Sequence, residues 1–306
     1  MVKSVGQEVV GEELIRERLE KKEFFRCYDG FEPSGRMHIA QGLLRAINVN
    51  KMVDAGGIFI FWVADYFAML NGKFDGDLDK IRTVERYFIE VWKAAGMKMS
   101  NVKFIWASEE INNRPNEYWL QVMNIACRNT IARIQKCATI MGKKESDSLK
   151  VSQLFYPCMQ CTDVFFLDVD VCQLGVDQRK VNMLAIEMAD ASRDKPIVVS
   201  HGMVSGLLEG QEKMSKSNPD SAIFMEDSPK EVERKIKKAF CREQCTDNNP
   251  ILDYCRNIIF GIRDSLSIIR SEQNGGNKYP LPYSELSTPT RSWRRTSLRA
   301  SCTLAT

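Results

Sequence analysis

Histidine is scarce in this chain of 306 residues, which contains only His38 and His201. Catalytic triads and metal centres built on imidazole therefore have little to draw on. Long apolar runs are missing too. The richest, Ile58 to Ala64, has the length of a buried strand, far short of the roughly 20 residues that span a bilayer. Residues Met1 to Glu23 mix acids and bases, hold no apolar signal core, and are too acidic for a transit peptide. Neither sign of charge dominates: 43 Lys and Arg stand against 40 Asp and Glu, a formal net charge of +3. Binding to a polyanion would therefore use local patches. The expectation is a soluble, cytoplasmic protein with no membrane association.

Cysteine is plentiful, with ten residues scattered through apolar surroundings. That distribution fits reduced, buried thiols. Cys158 and Cys161 form a C-x-x-C, and Cys241 and Cys245 a C-x-x-x-C. A split zinc site is the alternative reading of these pairs; the expectation is no metal.

The length and a hydrophobic content of 44% suffice for one large domain and a smaller one. Glu8 to Lys22 reads as a charged amphipathic helix, so residues 1–24 are expected to form an N-terminal helix. Apolar strands at Arg26–Phe31, Ile58–Ala64, Val102–Ala107 and Pro196–Ser200 alternate with helical spacing at Ile39–Ala55, Asp79–Ala95, Asn116–Ala138 and Gln178–Ser192. Gln153 to Asp163 reads as a helix interrupted near Pro157, and Val164 to Val171 as extended. This alternation indicates an α/β fold, a doubly wound parallel sheet of Rossmann-like type, over residues 25–222 with a helical insertion at about 112–150. Past Ala222 the pattern becomes helical. Ser228 can cap a helix, Pro229 fits its first position and Glu231 completes a capping box, while Ile251 to Ile269 continues helical. A small helical domain is expected over 223–286. Residues 287–306, rich in Ser and Thr with four Arg and no acid, are expected to be a disordered basic tail.

Two segments carry chemistry. Tyr28-Asp29-Gly30-Phe31-Glu32-Pro33-Ser34-Gly35 leads from a strand into a loop, and Met37-His38-Ile39-Ala40-Gln41-Gly42 opens the next helix. A helix start offers unpaired N–H groups and positive dipole to an anion, and glycine permits close approach. His38 and Gln41 add donors. A polar turn that merely caps a helix is the alternative. Lys213-Met214-Ser215-Lys216-Ser217 sets two lysines three apart between Gly210 and Pro219. Such a loop can close on a polyphosphate and neutralise a leaving pyrophosphate, or simply be solvated. Farther along, Tyr156, Gln160 and Asp163 fall at i, i+4 and i+7, one helical face in an apolar setting. They line either a pocket or a face that meets water. Asp177 stands where it would cap the helix that begins at Gln178.

The pair His38-Ile39-Ala40-Gln41 and Lys213-Met214-Ser215-Lys216-Ser217 resembles the two signatures of class I aminoacyl-tRNA synthetases, with Ala40 and Gln41 in place of a Gly and a His. The Tyr28–Gly35 opening, Tyr156-Pro157-x-x-Gln160-x-x-Asp163 and Asp177-Gln178-Arg179-Lys180 resemble the tyrosyl enzymes of the archaeal and eukaryotic cytosolic branch. Ala40, Gln41 and Gln173-Leu174-Gly175 look like its plant-type form. The resemblance covers about residues 8–285. It implies activation of L-tyrosine with ATP and transfer to tRNA(Tyr). Tyr28 and Asp163 would hold the substrate phenol; Tyr156, Gln160 and Gln178 its ammonium group; and Glu32 would support that wall. ATP would meet Gly30, His38, Gln41, Lys213, Ser215, Lys216 and Ser217, with Mg2+ arriving on the nucleotide and no permanent cofactor. Catalysis would fall to His38, Gln41, Lys213 and Lys216. The resemblance also implies a homodimer, for which Trp119, Met123, Ile125 and Ile134 are candidates if they do not serve the core. Residues 223–286 correspond to an incomplete anticodon-binding domain, so adenylation is expected to be secure and tRNA charging less so. The alternatives are a tryptophanyl-tRNA synthetase, a small-molecule nucleotidyltransferase, and a non-catalytic RNA-binding or regulatory product.

Overall fold

The computed structural model describes residues 2–21, 24–142, 144, 146–190, 195–211, 213, 214, 216, 218–241, 249–268, 272 and 276–282. The chain divides into two compact units, residues 1–34 with 48–202 and residues 35–47 with 203–306. The expected boundary near residue 222 differs from this division, because the segment after Ser34 belongs with the later part of the chain.

The first unit holds β1 (Glu8–Val10), α1 (Glu12–Glu20), β2 (Phe25–Phe31), most of α2 (Arg45–Asp54), β3 (Gly57–Val63), α3 (Asp65–Leu70), α4 (Leu78–Ala94) and β4 (Val102–Trp106). It continues with α5 (Ala107–Asn113), α6 (Pro115–Cys127), α7 (Ile131–Cys137), α8 (Val151–Phe166), β5 (Val171–Gly175), α9 (Arg179–Met188) and β6 (Ile197–His201). Among the described residues the sheet has six strands in the order β1-β6-β5-β2-β3-β4. Every neighbouring pair is parallel except β1 with β6. The chain runs outward from β2 to β4 on one side and from β5 to β6 on the other. The strand order therefore reverses between β2 and β5, where α/β folds open a crevice for ligands.

β2 shows why its residues face as they do. Successive side chains of a strand point to opposite faces. Phe31 joins Phe61, Phe88, Trp92 and Phe104 in a cluster whose contacting rings have centroids 4.8–6.1 Å apart. α4 supplies Phe88 and Trp92 to it and starts at a firm cap, with Asp77 accepting from the N–H groups of Asp79 and Lys80. Tyr28 points the other way, into a core with Ile60, Trp62, Tyr118, Met159 and Phe166. Full burial of each such aromatic contributes on the order of 2 kcal/mol.

Three local expectations change. Glu8 to Val10 is an edge strand rather than the start of a helix. The β-branched Val9 and Val10 pair with β6, and Gly11 turns the chain into α1 at φ 82°. α8 runs unbroken through Pro157 to Phe166. Proline removes one helical hydrogen bond and crowds the preceding turn, but burial of Tyr156 through Val164 outweighs that cost. Consequently Val164 to Phe166 is helical, and the extended segment begins only at Val171. Gln178, not Asp177, is the N-cap residue of α9, and no side chain caps it.

The second unit gathers Ile39, Leu44, Ile47, Leu207, Met214, Phe224, Tyr254 and Ile258 into one core. It contains a π-helical turn over Ala40–Leu44, α10 (Pro229–Lys238), α11 (Pro250–Tyr254), a second π-helical turn at Cys255–Ile259 and α12 (Phe260–Ile262). Ser228 caps α10 by accepting from the Glu231 N–H, and Pro229 takes the first turn. The Glu231 carboxylate pairs with Arg234 at 2.9 Å. Helix to Ile269 was the expectation; instead β7 (Ser265–Ile268) pairs antiparallel with β8 (Lys278–Pro282). Arg263 leaves the helix in an extended conformation, and Leu266 packs against Leu252 and Cys255. The expected tail, 287–306, lies outside the described residues.

Candidate active site

In the first unit, Tyr28 on β2 and Asp163 on α8 meet in the core. Tyr28 is 1% exposed and Asp163 0%. The Tyr28 hydroxyl donates to Asp163 Oδ2 at 3.5 Å. A second phenol, Tyr118 of α6, donates to Asp163 Oδ1 at 2.8 Å. Burial pushes the Asp163 carboxyl well above its ordinary range, and hydrogen bonds from Tyr118 and Tyr28 pull it back. Burial, with Asp163 nearby, likewise pushes the Tyr28 phenol up, so it remains a donor. Gly30 leaves room for this arrangement, since a Cβ there would stand 3.1 Å from the Tyr28 hydroxyl. A buried carboxylate between phenols is suited to grip a further hydroxyl.

The i, i+4, i+7 spacing on α8 does put Tyr156, Gln160 and Asp163 together, and all three are buried. Gln160 Nε2 donates to Gln178 Oε1 at 3.2 Å, and Gln178 Nε2 donates to the Ile140 carbonyl at 3.2 Å. The Tyr156 hydroxyl donates to Glu32 Oε2 at 3.5 Å. Glu32 also accepts from Asn71 Nδ2 at 3.0 Å and lies 3.9 Å from Lys73. Phe67 of α3 packs edge-on to the Tyr156 ring at 5.0 Å. Amide and phenol oxygens beside a carboxylate can receive an ammonium group.

The second unit contains His38, Gln41, Lys213 and Lys216. The Ile39 N–H donates to Ile223 O and the Met225 N–H to Met37 O, both at 2.9 Å, so His38 and Phe224 form an antiparallel bridge. His38 Nδ1 accepts from the Gln41 N–H at 3.3 Å. Burial, helped by Lys216 and Arg45, pushes the imidazole down to about 3. His38 is therefore neutral near pH 7, and with Nδ1 accepting, its proton lies on Nε2. π-helical turns such as the one that follows it often mark functional sites. Met214 is buried in the core of this unit, with its N–H on the Val204 carbonyl at 3.3 Å. That anchor leaves Lys213 exposed and Lys216 partly exposed. Ser215 and Ser217 lie outside the described residues.

The sequence reading missed Tyr118 and Asn71. Tyr118 shares the buried face of α6 with Val122 and Ile125, so it looks like an ordinary core aromatic. Its link to Asp163 spans 45 residues, and no local pattern announces it. Among the described residues, no three His, Cys, Asp or Glu side chains are placed to hold a metal ion. Cys158 and Cys161 are buried in α8, and burial raises both thiols. No helix among the described residues is long and apolar enough to cross a membrane.

The sheet reverses between β2 and β5, a helical turn follows His38, and Lys213 and Lys216 stand three apart. The model of the family "tRNA synthetases class I (W and Y)" matches residues 20–268, and the chain belongs to that family. Within it the similarity is to tyrosyl enzymes. Tyrosine–tRNA ligase 1, cytoplasmic, of Arabidopsis thaliana is 54% identical over 91% of this chain and 73% of its own length. Tyrosine–tRNA ligase 2, cytoplasmic, of the same plant is 52% identical over 91% of this chain and 37% of its own. The structure of Leishmania major tyrosyl-tRNA synthetase in complex with tyrosinol matches with a TM-score of 0.90 and 48% identity, covering 97% of this chain and 46% of that one. The chain thus spans less than half of two of these three relatives. A tryptophanyl-tRNA synthetase from Aeropyrum pernix, at 19% identity and a TM-score of 0.65, shares the fold alone.

Proposed function

We propose that this protein activates L-tyrosine with ATP to tyrosyl-adenylate and transfers the tyrosyl group to tRNA(Tyr) in the cytoplasm. The carrying observation is the buried Asp163 carboxylate held between Tyr28 and Tyr118. The substrate phenol donates to Asp163 and accepts from Tyr28. Phenylalanine would leave both unsatisfied in a buried site, a route to selectivity already documented for tyrosine-activating enzymes. Tyr156, Gln160 and Gln178 receive the ammonium group, and Glu32, fixed by Asn71, adds negative charge to that wall.

The tyrosine carboxylate is ionised at neutral pH and attacks the α-phosphorus without a general base. As its oxygen bonds to phosphorus, the bond to the bridging oxygen breaks and pyrophosphate leaves. The protein contributes positioning and charge stabilisation. Neutral His38 donates from Nε2, Gln41 offers its amide, and Lys213, Lys216, Ser215 and Ser217 hold the departing phosphates. Gly30 lets the nucleotide approach the backbone. Mg2+ enters as the counter-ion of ATP and supplies charge neutralisation to its phosphates. The terminal ribose hydroxyl of the tRNA then attacks the mixed anhydride carbonyl and releases AMP.

A homodimer fits the first unit's surface. Trp119 is 39% exposed, and Leu120 and Met123 are more exposed still, forming an apolar face on α6. Ile125 and Ile134 are buried and serve the core instead. Tyrosine-dependent ATP–pyrophosphate exchange, followed by charging of tRNA(Tyr), tests the whole reading. Exchange driven by tryptophan but not by tyrosine would overturn it.

A further inference from the structure

The Asp163 carboxylate is held from two sides, and the two sides are unequal. Tyr28 reaches Oδ2 at 3.5 Å, a long contact. Tyr118 reaches Oδ1 at 2.8 Å, the distance of a sound hydroxyl–carboxylate bond. The Met159 carbonyl lies farther from the same hydroxyl, at 3.4 Å, so the single proton goes to Asp163. Tyr118 is fully buried, and its ring stands edge-on to Phe166 at 4.9 Å. Tyr28 is as buried but holds only the long contact, the weaker of the two to give up to an incoming phenol.

We infer that Tyr118 is the positioning residue for tyrosine selectivity: its hydroxyl holds Oδ1 of Asp163 so that Oδ2 is free to take the substrate phenol. The inference rests on the tyrosine-activating reading above and deepens it. Tyr118 does not touch substrate; it acts through Asp163. Without its hydroxyl the carboxylate loses its shorter bond, rotates toward Tyr28, and pays more to be ionised in a dry site. The titratable groups close to Asp163 among the described residues are Tyr28 from β2, Tyr118 from α6, and Tyr156 and Cys161 from α8. Among these, the hydrogen bond from Tyr118 most favours the charged carboxylate.

Tyr118→Phe removes one oxygen and keeps the ring against Phe166. The measurement is ATP–pyrophosphate exchange with tyrosine and with phenylalanine, across pH, in the full chain. The expected result is a fall of about tenfold to a hundredfold in kcat/KM for tyrosine, the range for one bond to a charged group, carried by KM. Phenylalanine should change little, so the tyrosine-to-phenylalanine ratio falls with it. The acid limb of the tyrosine profile should move to higher pH, because Asp163 protonates more readily. A merely structural loss would lower both substrates alike and leave the limb in place; that outcome overturns the inference. Tyr118→His, which restores a ring donor, should recover part of the ratio, and a ratio as low as that of Tyr118→Phe also counts against it. Wild-type protein with no tyrosine-dependent exchange would instead sink the functional reading itself.

Discussion

Replacing Lys235 with methionine should destabilise the second unit by about 3 kcal/mol, at the low end of the range for breaking a buried ion pair from one side. Lys235 and Asp227 have side chains only 2% and 5% exposed. Lys235 Nζ donates to Asp227 Oδ2 at 2.6 Å and to the Ala222 carbonyl at 2.9 Å, and it stands 4.8 Å from the centre of the Phe224 ring. Methionine fills similar space but removes the charge, leaves the Ala222 carbonyl unpaired and deprives Asp227 of its nearest partner. The loss is moderated because Asp227 retains Arg36 Nη2 at 3.0 Å and the Phe224 N–H at 2.9 Å. Relief of the ammonium's desolvation offsets a further part. Far-UV circular dichroism during urea titration should show the midpoint falling by about 1 M or more. Asp227→Asn with Lys235→Met should be more stable than the sum of the single losses, since the carboxylate that lost its ammonium partner is neutralised as well. The pH dependence carries a second sign. Burial alone would raise Asp227, but Lys235, the Phe224 N–H and Arg36 hold it below the usual carboxylate range. Its contribution is therefore present above the unfolded value and lost as pH falls through the folded one, and the gap between wild type and variant should narrow in acid. A loss under about 1 kcal/mol with an unchanged acid limb would refute this reasoning, which rests on the typical cost of removing one partner from a buried ion pair.

Four further outcomes are expected. Asp163→Asn should narrow the difference between tyrosine and phenylalanine in pyrophosphate exchange; unchanged selectivity would remove Asp163 from the pocket. Lys216→Ala should slow adenylate formation by tenfold or more, about 1.4 kcal/mol in barrier, while tyrosine binding measured by calorimetry stays as it was; normal exchange rates would count against its role. Glu85 is fully buried beside Asp65 and accepts from Trp106 Nε1 at 2.9 Å, and burial raises it to about 7. Its favourable contribution is complete below the ordinary carboxylate value and lost as pH rises through about 7; Glu85→Gln should therefore flatten this loss, worth up to about 3 kcal/mol, in denaturation followed across pH. Leu120→Glu with Met123→Glu should shift sedimentation toward the monomer, and an unaltered dimer would place the interface elsewhere.

The α/β alternation was legible because buried parallel strands are continuous apolar runs, and Ile58 to Ala64 needed no partner to be read. The helical face of Tyr156, Gln160 and Asp163 was legible for a similar reason, since helical spacing is a local property. Val9 and Val10 were misread because three residues cannot show a period, and only pairing with β6 makes them a strand. Pro157 was misread because local propensity favours a break, while the tertiary burial of α8 decides otherwise.

By itself the chain determined which residue types stand at helix starts, in the lysine loop and on one face of α8, because these depend on spacing along the backbone. Only tertiary structure decided that Tyr118, 45 residues before Asp163, shares its carboxylate. The same is true of the bridge from His38 to Phe224 and of the clamp that Arg36 and Lys235 form around Phe224. The physical reason is common to all three. A buried charge or donor must find its partner wherever the fold brings one, and sequence separation carries no information about that choice.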